Sequence, residues 1–324
     1  MLLKEIPLTA IENIKIGHAQ DYKHATGCTV ILCEKGAPAG IDVRGGGPAS
    51  RETELLNPVA ACEGIHALLL SGGSAFGLDA AGGVMEYLEE KNVGFDVGVT
   101  KVPLVCASCI FDLALVSHNV RPTKEMAYEA CKNAELNNPE MGAVGAGTGA
   151  TVGKFYGQEY SMKSGLGMYA VTLGDLKVGA IVTVNALGDI FDFETGEQIA
   201  GLLSEDKKHL RSSETEFYKS YAKMKNLFTG NTTIGAIITN GKFTKTEMKK
   251  IASMAQNGYA RAIRPVHTTA DGDSIYALSV GEVSADLNVT GTLASHVMAM
   301  AIKKAVEHTK PMYGLKAMRD LLIK

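Results

Sequence analysis

No stretch of this 324-residue sequence approaches the roughly 18 consecutive apolar residues that a membrane span needs. The opening MLLKEIPLTAIENIKIGHA also lacks the apolar stretch of a signal peptide, so the expectation is a soluble cytoplasmic protein with no membrane partner. An excess of one charge sign is missing as well. Lys and Arg number 32 against 35 for Asp and Glu, mixed along the whole length, for a net charge of -3. There is no basic stripe to meet a phosphate backbone and no charged tail, which argues against nucleic acid as a partner. The six cysteines (Cys28, Cys33, Cys62, Cys106, Cys109, Cys131) sit mostly in apolar surroundings, as reduced, buried thiols do. Cys106 and Cys109 form a lone CxxC. A zinc site needs further ligands, and no second CxxC or spaced His pair supplies them, so both read as structural thiols. No metal or cofactor is implied. Tryptophan is absent, and proline occurs only 9 times.

What is abundant is glycine, with 36 residues gathered in clusters. Three familiar glycine motifs fail on inspection. A P-loop needs a glycine where Thr148 stands, five residues before Gly153-Lys154, and a Ser or Thr where Phe155 follows. GAVGAGTG is not the GxGxxG of a dinucleotide fold, with its opening strand and acidic residue ~20 positions on. SGGSAFG has Phe76 in place of the second glycine of a GxSxG elbow. The remaining uses of glycine are close backbone approach and free amide N–H groups that can bind an oxygen.

At 46% hydrophobic and 21% charged, the chain can build a sizeable core, and 1–324 reads as one α/β domain. CTVILC (28–33) is a short buried strand, followed by the turn EKGAPAG and a second strand. An apolar run from Ile65 to Leu70 reaches a Gly/Ser turn, then helical spacing from about Phe76 to Leu88. Residues 123–137 form a helix that Thr123 can cap. MYAVTLG, KVGAIVTVNALG and DIFDFETG look like a meander. Residues 204–230 turn abruptly polar, as an exposed, mobile segment does. NTTIGAIITN is then a strand, TKTEMKKIASMAQNGYARAI a helix, IYALSVG a last strand, and a long helix closes the chain. Strands interrupted by several helices argue for sheets covered by helices.

The junction Asn231-Thr232-Thr233 carries a specific possibility. A threonine can hydrolyse amides if a base adjoins its hydroxyl, and its own α-amine, with a pKa of roughly 8, can serve. That amine exists only if the preceding peptide bond is cut. The site must then be a Thr, Ser or Cys at the start of a rigid strand, after an accessible segment, and Thr232 meets this description. Read by itself, Asn-Thr-Thr is a loop entering a strand. Thr232 and Thr233 point to opposite faces, so only one could be the nucleophile.

The sequence as a whole resembles the DmpA-type aminopeptidases, a group with the β-peptidyl aminopeptidases and the nylon-oligomer endohydrolase. The resemblance is carried by IGHA, GCTVILCEKGAPAGIDVRGG, RETELLNP, IHALLLSGGSAFGLDAAGGVMEYLEE, VGAGTGATVGK, VGAIVTVNALGD, NTTIGAIITN and RAIRPVHTTADGDSIYALSVG. It spans about residues 15 to 285. It implies a four-layer α/β/β/α sandwich of the N-terminal-nucleophile hydrolase kind. It also implies a precursor that cuts itself between Asn231 and Thr232 into 1–231 and 232–324, and a homotetramer. By resemblance Thr232 is the nucleophile, Asp271 and Asp273 are the pair that positions it, and Asn185 is the oxyanion-side asparagine. Lys154 matches a lysine near the nucleophile in the nylon-hydrolase branch. The aminopeptidase branch has Ser and a Ser/Glu pair where this chain has Thr and Asp/Asp, which sets it nearer the nylon hydrolases. The resemblance implies a substrate among small peptides, amino-acid amides and amide oligomers.

The residues alone also suit blander roles. DGD is a common turn, Lys154 can be a surface lysine, and Asn185 can simply end its strand. Two other readings stand beside the self-cleaving enzyme. One is an uncut, non-catalytic relative that binds a small amine or peptide. The other is an amidase that uses Ser71 or Ser74.

Overall fold

The longest strands of this chain are apolar on both faces, the pattern of strands covered on both sides rather than half-solvated. A computed structural model, which describes residues 3–221 and 230–322, explains that pattern by stacking two sheets between helices. The strands of the two large sheets are, in chain order, Lys4–Ile6 (β1), Lys15–Asp21 (β2), Thr26–Ala37 (β3), Ala39–Val43 (β4), Ser50–Arg51 (β5) and Ile65–Ser71 (β6). They continue with Val105–Cys109 (β7), Leu166–Leu173 (β8), Leu176–Asn185 (β9), Thr232–Gly241 (β10) and Ser274–Val283 (β11). One sheet has the order β1-β8-β9-β10-β11-β4, the other β2-β3-β6-β7-β5.

The cores show the layering. Val178, Ala180, Val182 and Val184 on β9 pack outward with Ile237, Ile275 and Ala277 under the helices Lys245–Ala262 and Leu287–Glu307. Their neighbours Ile181, Ile234, Ala236, Ile238 and Tyr276 turn inward, where they meet Ile31, Leu68 and Leu70 of the second sheet. Val30, Leu32, Ala67 and Leu69 face the far side, against helices Ala81–Glu90 (α1) and Lys124–Ala134 (α2). Three apolar layers between four structural ones give α/β/β/α. Each fully buried Ile, Leu or Val stabilises the stack by about 1.5–3 kcal/mol.

Local signals behave as their chemistry requires. Thr123 caps α2 by accepting from Met126 N at 3.3 Å. Ser213–Lys219 is helix α3, capped by Ser212, and α4 (Lys245–Ala262) opens with a capping box between Thr244 and Glu247. Asp286 caps α5 (Leu287–Glu307) through Asn288 N and Val289 N, both at 2.9 Å. β8 and β9 form the expected hairpin, with Gly174-Asp175 as its two-residue turn between the partners Leu173 and Leu176.

Four expectations are corrected. β3 runs on through the supposed turn to Ala37, and only Pro38 separates it from β4. The helix after β6 begins as a 3-10 turn, Ser74–Ala80, before α1. Asp189–Phe191 leaves the meander to pair with Gln198–Ala200 and Ile263–Arg264 in a small separate sheet. The polar stretch 204–230 is not simply exposed. α3 is anchored by Ser213, whose N and Oγ donate to Asp189 at 2.6 and 2.7 Å. Buried Glu216 accepts from Tyr156 Oη at 2.7 Å and pairs with Arg211 at 3.0 Å. Residues 222–229 of that stretch lie outside the described residues. Among the described residues, no helix is long and apolar enough to cross a membrane. Cys106 and Cys109 sit buried on β7, and burial pushes the Cys106 thiol up to about 12.

Candidate active site

β9 ends where β10 begins. The antiparallel register makes Asn185 and Thr232 Cα partners. On the opposite side of β10, Asn231 bridges to Asp271 in parallel, just before β11. Two neighbouring strands therefore bring Asn185, Thr232 and the 271–273 turn to one end of the six-stranded sheet, although nearly ninety positions separate the outermost two in sequence. Thr232 lies on the same side of β10 as Ile234, which faces the inter-sheet core, and its side chain is 5% exposed. Thr233 takes the opposite face.

The Thr232 hydroxyl donates to the carbonyl oxygen of Asn231, the residue before it. Gly272 N–H donates to that same oxygen at 2.8 Å. The Asn231 N–H meets the Ala270 carbonyl at 3.3 Å, so the backbone on both sides of residue 231 is tied to the 270–272 turn. That turn is held by the glycines of the 44–47 loop. Gly47 N donates to Asp271 O at 2.8 Å, and a Cβ on Gly45 would come within 2.3 Å of Asp273 N. Only glycine permits so close an approach.

The two aspartates divide their work. Asp273 Oδ1 accepts from Thr233 N at 2.8 Å. Its Oδ2 accepts from His267 N at 3.1 Å and lies 3.0 Å from His267 Nδ1. The His267 ring stacks on Tyr259, with centroids 5.9 Å apart. Asp271 Oδ2 accepts from Thr268 N and Thr268 Oγ1, at 2.9 and 2.5 Å. Burial, with the neighbouring Asp273 charge, raises Asp271 to about 6, against the opposing pull of the Thr268 hydrogen bonds.

Lys154 is buried, where a lysine needs a reason. Gly153, at φ +74, fits against the Gly201–Leu202 backbone, and its N–H and that of Lys154 donate to Gly188 O and Leu187 O, both at 3.0 Å. The Lys154 ammonium then donates to Asn185 O at 2.9 Å and to Asn185 Oδ1 at 2.8 Å. Burial brings Lys154 down to about 7, against the upward pull of Asp271, Asp273 and Asp112. Thr151 N also donates to Asn185 Oδ1, at 3.1 Å, which fixes the amide orientation, and Asn185 Nδ2 donates to Phe111 O at 3.0 Å.

All five residues singled out in the sequence thus converge on one cluster. Thr232 touches the Asn231 carbonyl, Asn185 holds Lys154, and Asp273 holds the backbone of Thr233. Both carboxylates are engaged with the 267–268 turn and Thr233, and the Thr232 hydroxyl goes to the chain itself. Sequence reasoning missed Gly272, Thr151 and Phe111, which act through backbone groups that residue type does not reveal. It also passed over His267, four residues before Asp271. Ser71 is fully buried on β6, and Ser74 stands half-buried on the turn after it, in the other sheet.

A cavity of ≈ 240 Å³ opens beside the cluster, lined by Phe111, Asp112, Leu115, Thr151, Lys154 and Gly230 among others. Gly230 is the residue just ahead of Asn231, so the cavity adjoins the amino side of the Asn231–Thr232 bond.

Known proteins resemble this chain over nearly its whole length. The sequence pattern of peptidase family S58 matches residues 7–317. An uncharacterized aminopeptidase of Mycobacterium leprae is 37% identical over 306 residues, covering 88% of this chain and 82% of that protein. A 6-aminohexanoate-oligomer endohydrolase of an Agromyces species is 29% identical over 307 residues, covering 90% and 83%. Among solved structures, the L-aminopeptidase D-Ala-esterase/amidase of Ochrobactrum anthropi, described as a variant of the Ntn hydrolase fold, superposes with a TM-score of 0.72. It shares 16% identity over 97% of this chain and 93% of its own. A Burkholderia β-aminopeptidase superposes with a TM-score of 0.66 at 17% identity, covering 96% and 91%. A match along all but the extreme ends, joined to the four-layer fold, is decisive: this chain belongs to peptidase family S58, and it is a hydrolase of amide bonds.

Proposed function

We propose that the chain cuts itself between Asn231 and Thr232, and that the exposed Thr232 then hydrolyses amide bonds of small peptides, amino-acid amides or amide oligomers. One observation carries this reading. The Thr232 hydroxyl rests on the Asn231 carbonyl, and the oxygen of that carbonyl already accepts a hydrogen bond from Gly272 N–H at 2.8 Å. Attacker, target and a donor for the developing oxyanion are assembled before any substrate arrives.

Self-cleavage balances as an N→O shift. Thr232 Oγ bonds to the Asn231 carbonyl carbon, the C–N bond to Thr232 breaks, and the hydroxyl proton ends on the new amine. Water then hydrolyses the ester, giving 1–231 with a carboxylate end and 232–324 with a free α-amine. In the processed enzyme that amine, with an ordinary pKa of roughly 8, takes the hydroxyl proton when an external amide is attacked. Gly272 N–H and the remaining Nδ2 hydrogen of Asn185 receive the oxyanion. Lys154 fixes Asn185 in the orientation this needs, and Asp273 holds the Thr233 backbone so that Thr232 keeps its angle. Acyl-enzyme hydrolysis completes the turnover. The pieces assemble as a homotetramer, as in the family the sequence resembles, and the protein works in the cytoplasm.

Mass analysis of purified protein tests the reading. Wild type yields two fragments that meet at 231/232, Thr232→Ala stays one inactive chain, and Thr233→Ala still processes. An intact wild-type chain that hydrolyses amides would refute it.

A further inference from the structure

A second buried lysine has no part in the mechanism above. Lys163 is fully buried, one of the largest side chains of the interior, where a lysine needs partners. It stands on a short ribbon in which Thr151–Val152 pairs with Met162–Lys163, with Thr151 and Lys163 as Cα partners. Its ammonium donates to Gly147 O at 3.1 Å, to Ala150 O at 2.8 Å and to Ser164 O. An ammonium has three N–H donors, and all three go to main-chain carbonyls. Burial brings Lys163 down to about 7, against the upward pull of Asp112. Asp112 closes on the same loop: a Cβ on Gly149 would come within 2.5 Å of the Asp112 Cβ and 2.8 Å of its Oδ2. A lysine and an aspartate therefore both bear on one glycine loop, 147–150.

That loop delivers one N–H to the site. The carbonyl of Ala150 and the N–H of Thr151 belong to the same planar peptide unit, so fixing one end fixes the direction of the other. Lys163 Nζ at 2.8 Å and Ser164 N at 3.0 Å take the oxygen end. At the other end Thr151 N donates to Asn185 Oδ1 at 3.1 Å. A cation on the carbonyl also polarises the unit and strengthens the bond that its N–H makes. The other half of the Asn185 amide is held next to Asp112, since Nδ2 donates to the carbonyl of Phe111 at 3.0 Å. Lys154 reaches Asn185 directly, and Lys163 reaches it through one peptide group.

We propose that Lys163 is a positioning residue of the active site: it holds the Ala150 carbonyl so that the N–H of the same peptide unit fixes the side-chain amide of Asn185. The proposal rests on Asn185 serving the oxyanion in the processed enzyme.

A double-mutant cycle tests it. Wild type, Lys163→Met, Asn185→Ala and the double variant are compared on alanine p-nitroanilide and 6-aminohexanoyl p-nitroanilide. Rates are referred to the amount of released 232–324 fragment, so that each describes processed enzyme. Lys163→Met should lower kcat by about 10- to 100-fold, up to the effect of a displacement near 1 Å, with KM within about 2-fold of wild type. In the Asn185→Ala background the same change should lower kcat by less than about 2-fold, because the group it positions is gone. An equal loss in both backgrounds, the mark of a support for the fold alone, overturns the proposal, and so does wild-type kcat in Lys163→Met. Lys163→Gln, which keeps two N–H donors for the three carbonyls, should lose less, and it carries the same cycle if Lys163→Met does not fold. Asn185→Ala at wild-type kcat would instead sink the oxyanion role of Asn185, and the positioning with it.

Discussion

Replacing Gly272 with alanine should separate the geometry of self-cleavage from the stability of the fold. Gly272 is buried, and its N–H holds the Asn231 carbonyl oxygen at 2.8 Å. A Cβ built there would stand 2.8 Å from Thr232 Oγ1, 3.2 Å from Thr232 Cγ2 and 2.7 Å from the backbone oxygen of Gly47. The last contact is with main chain, so a side-chain rotation cannot relieve it. Either the 271–273 turn or the start of β10 must move. Overpacking of this kind costs about 1–3 kcal/mol. A displacement near 1 Å between reacting groups costs about 100-fold in rate. Gly47→Ala is the matched control: it lies in the same loop contact, but its Cβ would meet nothing closer than Asp271 O at 3.8 Å. The assay is the time course of the 232–324 fragment on denaturing gels after rapid purification, with thermal melting alongside. Gly272→Ala should process about 100-fold more slowly while it still melts cooperatively, and Gly47→Ala should follow wild type. Equal processing rates for Gly272→Ala and wild type would show that this turn does not set the reacting geometry.

Three further outcomes are expected. Asn185→Ala should reduce the processed enzyme's kcat by about 100-fold or more, about 3 kcal/mol for one oxyanion donor, with a smaller change in KM. The pH dependence of stability should carry the mark of Asp271. Its folded pKa is raised to about 6 from the ordinary aspartate value of 3.8, so the folded state binds the extra proton between those values. Its contribution is therefore fully present below about 4 and lost as pH rises through about 6, and the urea midpoint of wild type relative to Asp271→Asn should decline across that window. Ser213→Ala removes the 2.7 Å bond to Asp189 and should loosen α3, seen as faster limited proteolysis around residues 211–221, while self-cleavage continues.

Much of the fold was legible because strands and helices here carry strong local signals. The Ile65–Leu70 run, the β-branched start of β10, the Gly174-Asp175 turn and the threonine ahead of α2 each behave in the structure as their side chains demand. α3 was hidden because it is held by polar groups: Ser213 and Glu216 are buried through Asp189, Tyr156 and Arg211 rather than through an apolar stripe. The departure of Asp189–Phe191 from the meander was hidden because its partner, Ile263–Arg264, arrives from far along the chain. At the cluster itself, Thr232, Asn185, Lys154, Asp271 and Asp273 came from the family resemblance, since a lone DGD or Asn-Thr-Thr is ambiguous. Gly272 N–H, Thr151 N–H and the Phe111 carbonyl could not be foreseen, because any residue can offer them and only the register of β9, β10 and β11 aims them.

The order of the six-stranded sheet has a consequence for a chain cut before Thr232. Residues 232–324 would supply two interior strands, β10 and β11, clasped between β9 on one side and β4 on the other, with α4 and α5 roofing them. Parting the two polypeptides would tear both ladders and strip a whole apolar layer. Scission of the backbone should therefore leave one cooperative body, and the shorter piece expressed alone should find no fold of its own.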